Sequence, residues 1–202
     1  MNPRTESSFA EMRKKSRELI INEATILFAE NGFRETTIEK IARKAGISKG
    51  LVYNYFSSKD DLLESIITCG FPYFDEIADN VPENLPAIDQ LESLLNNFIT
   101  SLKKNLAFWK LYQSIISHPT VSRGMVKFKE YFETVFSPLL SKIFTALFTQ
   151  ISESEICIEV LIFAALLDGI AFDYVVIGED YPLESIKHKI INNYQREVNT
   201  TL

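Results

Sequence analysis

Apolar residues recur along this chain at helical spacing, and Gly and Pro punctuate the recurring blocks. Over residues 12–30, Leu19, Ile20, Ala24, Leu27 and Phe28 share one face of a predicted helix. Asn31-Gly32 then reads as a helix stop. Thr36-Thr37-Ile38-Glu39 has the form of a capping box, with Thr36 as N-cap and Glu39 reaching back. A short helix with Ile38, Ile41 and Ala42 should run to Ala45, where Gly46 ends it. Ser48 can cap the next, which reaches about Tyr55. Ser58-Lys59-Asp60-Asp61 repeats the cap signal before a longer helix, about 59–70, carrying Leu62, Leu63, Ile66 and Ile67. Pro72, Pro82 and Pro86 mark a loosened junction over about 71–86. Five more helices follow, at about 87–103, 105–117, 120–149, 153–177 and 182–198. Pro138 should kink or split the third of these. No strand-period segment competes, so the pattern predicts an all-α chain of about nine helices.

Charge divides the chain in two. Residues 1–60 hold 11 Lys+Arg against 8 Asp+Glu, and residues 61–202 hold 10 against 19. A head of +3 therefore sits on a body of −9, although the whole chain of 202 residues carries −6. The overall acidity excludes indiscriminate coating of nucleic acid, while a basic head keeps local DNA binding open. Hydrophobic residues make up 46% of the chain, which suits a globular protein and excludes disorder.

The two short helices at 37–45 and 48–55 form a helix-turn-helix candidate. Ala42 is small where the helices must approach, and Gly46 permits the left-handed turn between them. Ile47 and Val52 can anchor the second helix. Ser48, Lys49, Gly50, Tyr53, Asn54 and Tyr55 are then left to face outward, with hydrogen-bonding groups suited to phosphates and base edges. Arg13, Lys14, Lys15 and Arg17 can add phosphate contacts or serve as a solvated helix start.

Residues 17–63, through the ungapped stretch ILFAENGFRETTIEKIARKAGISKGLVYNYFSSKDDLL, resemble the DNA-binding domain of the TetR family of transcriptional regulators. The matching elements are Asn31-Gly32-Phe33, Thr36-Thr37-Ile38, Ile41-Ala42, residues 45–50, Tyr53-x-Tyr55-Phe56 and Ser58-Lys59-Asp60. The resemblance implies a helix-turn-helix domain over 1–60 and a ligand-binding and dimerisation domain over 61–202. It implies that Lys49, Gly50, Tyr53, Asn54 and Tyr55 are recognition-helix positions. It further implies phosphate contacts from Thr36, Thr37, Ser48 and Lys59. Leu51 departs from family members that carry a hydroxyl residue there.

A two-fold operator calls for a dimer. The apolar 156–177 segment supplies Ile156, Val160, Phe163, Leu167, Ile170 and Tyr174 as expected interface positions, and the last helix supplies Leu183, Ile186, Ile190 and Tyr194. Asp168-Gly169 resembles a recurrent feature of the family's penultimate helix. Between head and seam lies an aromatic-rich region. Phe98, Phe108, Trp109, Tyr112, Gln113, Phe132, Phe136 and Phe163 are the candidate lining of a small-molecule pocket. Cations there are few, namely Lys103, Lys104, Lys110, Lys127 and Lys129, which favours a neutral or lipophilic effector over an anion. His118, before Pro119, reads as a loop histidine.

The remaining chemistry is sparse. The chain has no HExxH, GxxxxGK, GxSxG or GxGxxG, and its two histidines and two cysteines form no nucleophile–base pair or metal-ligand spacing. No enzyme activity, cofactor or metal is expected. Cys69 and Cys157 read as buried packing residues. The N-terminus lacks a signal-peptide core, and the longest unbroken apolar run, Val160 to Leu167, is short for a membrane span. The expectation is a cytoplasmic regulator, a dimeric repressor released from a palindromic operator by a mildly lipophilic ligand. The alternative is a regulator controlled by a protein partner, or an activator, without a small ligand.

Overall fold

The computed structural model describes residues 3–116 and 122–201, so His118 and Pro119 lie outside the described residues. It is helical throughout that range: α1 (Pro3–Asn31), α2 (Ile38–Lys44), α3 (Lys49–Tyr53), α4 (Lys59–Asp79), α5 (Ala87–Lys104), α6 (Leu106–Ile116), α7 (Ser122–Tyr131), α8 (Ser137–Leu147), α9 (Glu153–Ile177) and α10 (Leu183–Thr201). A π turn, Phe132–Phe136, joins α7 to α8, and a 3-10 turn, Gly178–Asp180, follows α9.

Two helix boundaries differ from expectation for identifiable reasons. α2 is capped by Thr37, whose side chain accepts from the Lys40 amide at 3.2 Å. Thr36 is fully buried instead, and its hydroxyl bonds the Leu27 and Gly32 carbonyls at 3.1 and 2.9 Å. α4 runs unbroken through Pro72 to Asp79. Pro72 sits on its exposed side, and Phe74, Ile77 and Ala78 beyond it are buried in the body. That burial offsets the lost backbone bond, which costs about 3 kcal/mol.

Pro138 divides the predicted 120–149 helix as expected. It occupies the first turn of α8, where its missing N–H does no harm. The backbone before it widens by one residue, so that the Ser137 amide reaches the Phe132 carbonyl. π turns of this kind are frequent at functional sites, and Phe132 and Phe136 lie in this one.

The described residues form two cores. The head core holds Ile20, Ala24 and Phe28 of α1, Ile38, Ile41 and Ala42 of α2, and Val52 and Phe56 of and after α3. It also takes Leu62, Leu63 and Ile66 from α4 and Leu111 and Ile115 from α6. The body core holds the later turns of α4, with α5, α8, α9 and α10, and the other face of α6 through Phe108, Trp109 and Tyr112. Helices α4 and α6 are thus shared by both cores.

α4 and α6 meet at Gly70. A Cβ built there would lie 2.0 Å from Cε2 of Phe108, whose ring is held by Tyr73, Phe74, Trp109 and Tyr112. Gly70→Ala should therefore force the two helices apart and destabilise the protein by about 1–3 kcal/mol. A shift of the urea midpoint measures it. An unchanged midpoint would mean that Phe108 swings aside freely.

Candidate functional site

The turn between α2 and α3 is built as its sequence dictates. Gly46 has φ +67, the left-handed conformation that side chains resist. Ser48 then caps α3, accepting from the Leu51 amide at 3.2 Å. Val52 is fully buried and pins the helix to the head. Ser48, Lys49, Gly50, Tyr53 and Asn54 are left exposed on one side, with Tyr53 49% accessible. Thr37 is exposed at the start of α2. This is a short helix presenting polar groups and a lysine to solvent, as a groove-reading helix must.

Three expected contact residues are otherwise engaged. Thr36 is buried, as described. Lys59 directs its ammonium at the carbonyls of Phe33, Thr36 and Arg34, at 2.7, 3.0 and 3.2 Å. It also lies 4.4 Å from the centre of the Phe33 ring. All three of its protons are used in closing the α1–α2 loop, so Lys59 leaves the set of phosphate-contact candidates. Tyr55 is half-buried against the head core, with Arg13 5.9 Å from its ring centre. Arg17 lies over Phe56 at 5.3 Å. The N-terminal basic residues are thus part of a continuous α1, where Lys14 and Lys15 pair with Glu18 and Glu11.

Lys59→Met should lower stability by about 2 kcal/mol, the loss of charge-assisted bonds to partly buried loop carbonyls. The salt slope of DNA binding should stay as it is. A slope reduced by about one, with an unaltered melting temperature, would return Lys59 to the phosphate contacts.

The body contains an open apolar cleft of about 330 Å³. Phe74 and Ile77 of α4, Phe98 of α5 and Trp109 of α6 form one side. Phe128, Tyr131, Phe132 and Phe136 form a second, across α7 and the π turn. α9 closes the third with Leu161, Ala164, Ala165, Leu167 and Asp168. Of the expected lining, Phe98, Trp109, Phe132 and Phe136 are in place. Phe108 is instead seated over Gly70, and Phe163 packs on Phe144 and Tyr194. Tyr112 stands behind the wall against Phe74 and Phe128. Gln113 reaches the Asp168 carbonyl at 3.5 Å and joins α6 to α9. Asp168, expected only as part of the Asp168-Gly169 pair of the penultimate helix, is on the wall. Desolvation raises its carboxyl pKa above the ordinary range. Burial, followed by the charge of Asp168, pushes the Tyr112 phenol well up. Its hydroxyl is buried and has no hydrogen-bond partner among the described residues.

α9 is apolar over most of its circumference, and the expected interface residues occupy its inner side. Ile156, Val160, Phe163, Leu167, Ile170 and Tyr174 are buried in the protomer's own core, as are Leu183, Ile190 and Tyr194 of α10; Ile186 is half-buried. The open stripe is the opposite one, with Ile158, Leu161, Ile162, Leu166, Phe172 and Val176 exposed around Gly169. By length and composition this segment, Glu153–Asp180, could cross a membrane, but its inner face is committed to packing on α8 and α10. Cys69 and Cys157 are both exposed, contrary to expectation, and unpaired.

Comparison with known proteins agrees with the head. Residues 20–66 match the model of bacterial regulatory proteins, tetR family. The head is a TetR-family DNA-binding region. It is 52% identical over 50 residues to the HTH-type transcriptional regulator HbdR of Aromatoleum sp. (strain CIB), covering 25% of this chain and 22% of that one. It is 29% identical over 111 residues to the biofilm operon icaADBC negative transcriptional regulator IcaR of Staphylococcus aureus (strain Newman), covering 54% and 59%. The matched region therefore spans a fifth to three-fifths of these relatives' own length. The fold extends further. The fatty acid degradation regulator FadR of Bacillus halodurans superimposes with TM-score 0.73 at 20% identity, over 89% of this chain and 94% of that one. Bacillus subtilis FadR in complex with stearoyl-CoA gives 0.71 at 18% identity, over 88% and 96%.

Proposed function

We propose that this protein is a dimeric TetR-family transcriptional repressor that leaves a palindromic operator when a small apolar ligand enters the cleft. The observation that carries the reading is the sharing of α4 and α6. Leu62, Leu63 and Ile66 of α4 and Leu111 and Ile115 of α6 are head core, while Phe74, Ile77 and Trp109 on the same two helices line the cleft. A ligand that separates the cleft walls has to move helices on which α3 rests. It need only bind the DNA-incompetent arrangement better, by about 1.4 kcal/mol for each tenfold loss of operator affinity. Repression is supported by IcaR's designation as a negative regulator, and ligand control by the acyl-CoA complex of the FadR neighbour.

In this reading Ser48, Lys49, Gly50, Tyr53 and Asn54 enter the major groove, with Thr37 at the flanking phosphates. A second copy docks on the open α9 stripe and sets the two heads about 34 Å apart, one turn of the duplex. The −9 body keeps the protein head-first on DNA, and the location is cytoplasmic. Selection from random duplex DNA tests the reading. An enriched palindrome should emerge, and Lys49→Ala should weaken it at least tenfold. Tyr53→Phe should weaken all sites by a similar factor if the phenol meets phosphate. Absence of any enriched sequence from a folded dimer would refute the proposal.

A further inference from the structure

We propose that the cleft selects a lipophilic cation, its charge met by Asp168 and its apolar body by the aromatic walls. The inference rests on the cleft being the effector site and names the class of effector. Among the described residues that line the cleft, Asp168 is the sole charged side chain; no Lys, Arg or His joins it. Asp168 is exposed at the cleft wall, its carboxylate has no ion-pair partner among the described lining residues, and partial desolvation raises its pKa. A carboxylate partly shielded from water by apolar walls, with no counter-charge beside it, favours a cation at its side. Tyr112, just behind the wall, adds a dipole and no positive charge. Across the cleft, Tyr131 lies in the field of Asp75 and Asp79 of α4, whose charges help to raise its phenol pKa. The second wall is therefore also under negative potential. The aromatic rings of Trp109, Phe74 and Phe128 also border the cleft, and aromatic rings favour cations over anions at their faces. A phosphate-bearing head group would meet carboxylates at this place, whatever its tail.

The probe is tetraphenylphosphonium, with triphenylphosphine oxide as a neutral analogue and stearoyl-CoA as an anion. Trp109, the single tryptophan of the chain, lies in the wall, so its fluorescence reports entry directly. The cation should bind at least tenfold more tightly than the neutral analogue. Asp168→Asn should reduce that ratio at least tenfold, and Asp168→Glu should restore most of it. Because the ionised carboxyl has a folded pKa above its unfolded value, it costs stability at neutral pH that is regained on acidification. Asp168→Asn should accordingly melt higher at pH 7, which guards against loss of the fold. A neutral analogue bound as well as the cation, or a ratio indifferent to Asp168→Asn, overturns the inference. Release of operator DNA by stearoyl-CoA and not by the cation overturns it while leaving ligand control standing. No effect of any of the three on fluorescence or operator binding removes both.

Discussion

Ile162→Glu should convert the protein from a dimer to a monomer and lower operator affinity by about 100-fold or more. Ile162 lies near the middle of the open α9 stripe, 54% exposed and on the same face as Gly169 two turns further on, whose absent side chain lets another helix approach closely. A glutamate there would be buried without a partner in any face-to-face packing of two stripes, a cost of several kcal/mol that such a seam cannot absorb. In the protomer the same glutamate meets solvent, so folding is unaffected. The loss of affinity follows from two half-sites no longer being bound by one particle, since linkage of this kind contributes 10²–10⁴ in avidity. Light scattering and a mobility-shift titration on the same sample measure both effects. A wild-type protein that is already monomeric at micromolar concentration, or an unaltered mass for Ile162→Glu, would place the seam elsewhere.

Leu111→Ala should destabilise the protein by about 2–5 kcal/mol, the range for removing a buried leucine side chain, and its effect should appear first in the DNA-reading head. Leu111 belongs to α6, nearly sixty residues beyond α3 in sequence, yet it is 1% exposed within the head core beside Ile115. Amide exchange should accelerate in α2 and α3 more than in α8 and α9, and operator binding should fall while the mass remains that of a dimer. Uniform acceleration in all helices would show that the two cores unfold as one unit. Protection confined to the body would show the head hanging on α6 by little else.

The number and order of the helices were readable because each is punctuated by a cap or a breaker, and Ser48, Gly46 and Pro138 act as their residue types require. Choices between adjacent or opposite positions were not readable. Thr36 and Thr37 offer the same hydroxyl, and only the buried carbonyls of Leu27 and Gly32 decide which one turns inward. Lys59 has the look of a phosphate ligand until the loop carbonyls 23 to 26 residues earlier are seen to surround it. α9 is apolar over most of its circumference, so periodicity cannot tell its core stripe from its open one. The aromatic residues of the cleft show the same ambiguity. Their spacing is that of any core, and which of them border empty space depends on α9 standing off from the π turn. Asp168 was the accessible clue, since an acid in an apolar segment needs either a partner or a purpose.

The π turn has a consequence for how the cleft can change over generations. Each residue added to or removed from a regular α-helix rotates everything beyond it by about 100°, which in a packed body scrambles the core. Between α7 and α8 the widened turn already absorbs one extra residue, leaving Leu140, Ile143 and Phe144 of α8 buried. A one-residue deletion here would straighten the backbone and withdraw an aromatic side chain from the wall while α8 keeps its register. The breadth of the cleft is thus open to change by insertion and deletion as well as by substitution, at a place where neither disturbs the head.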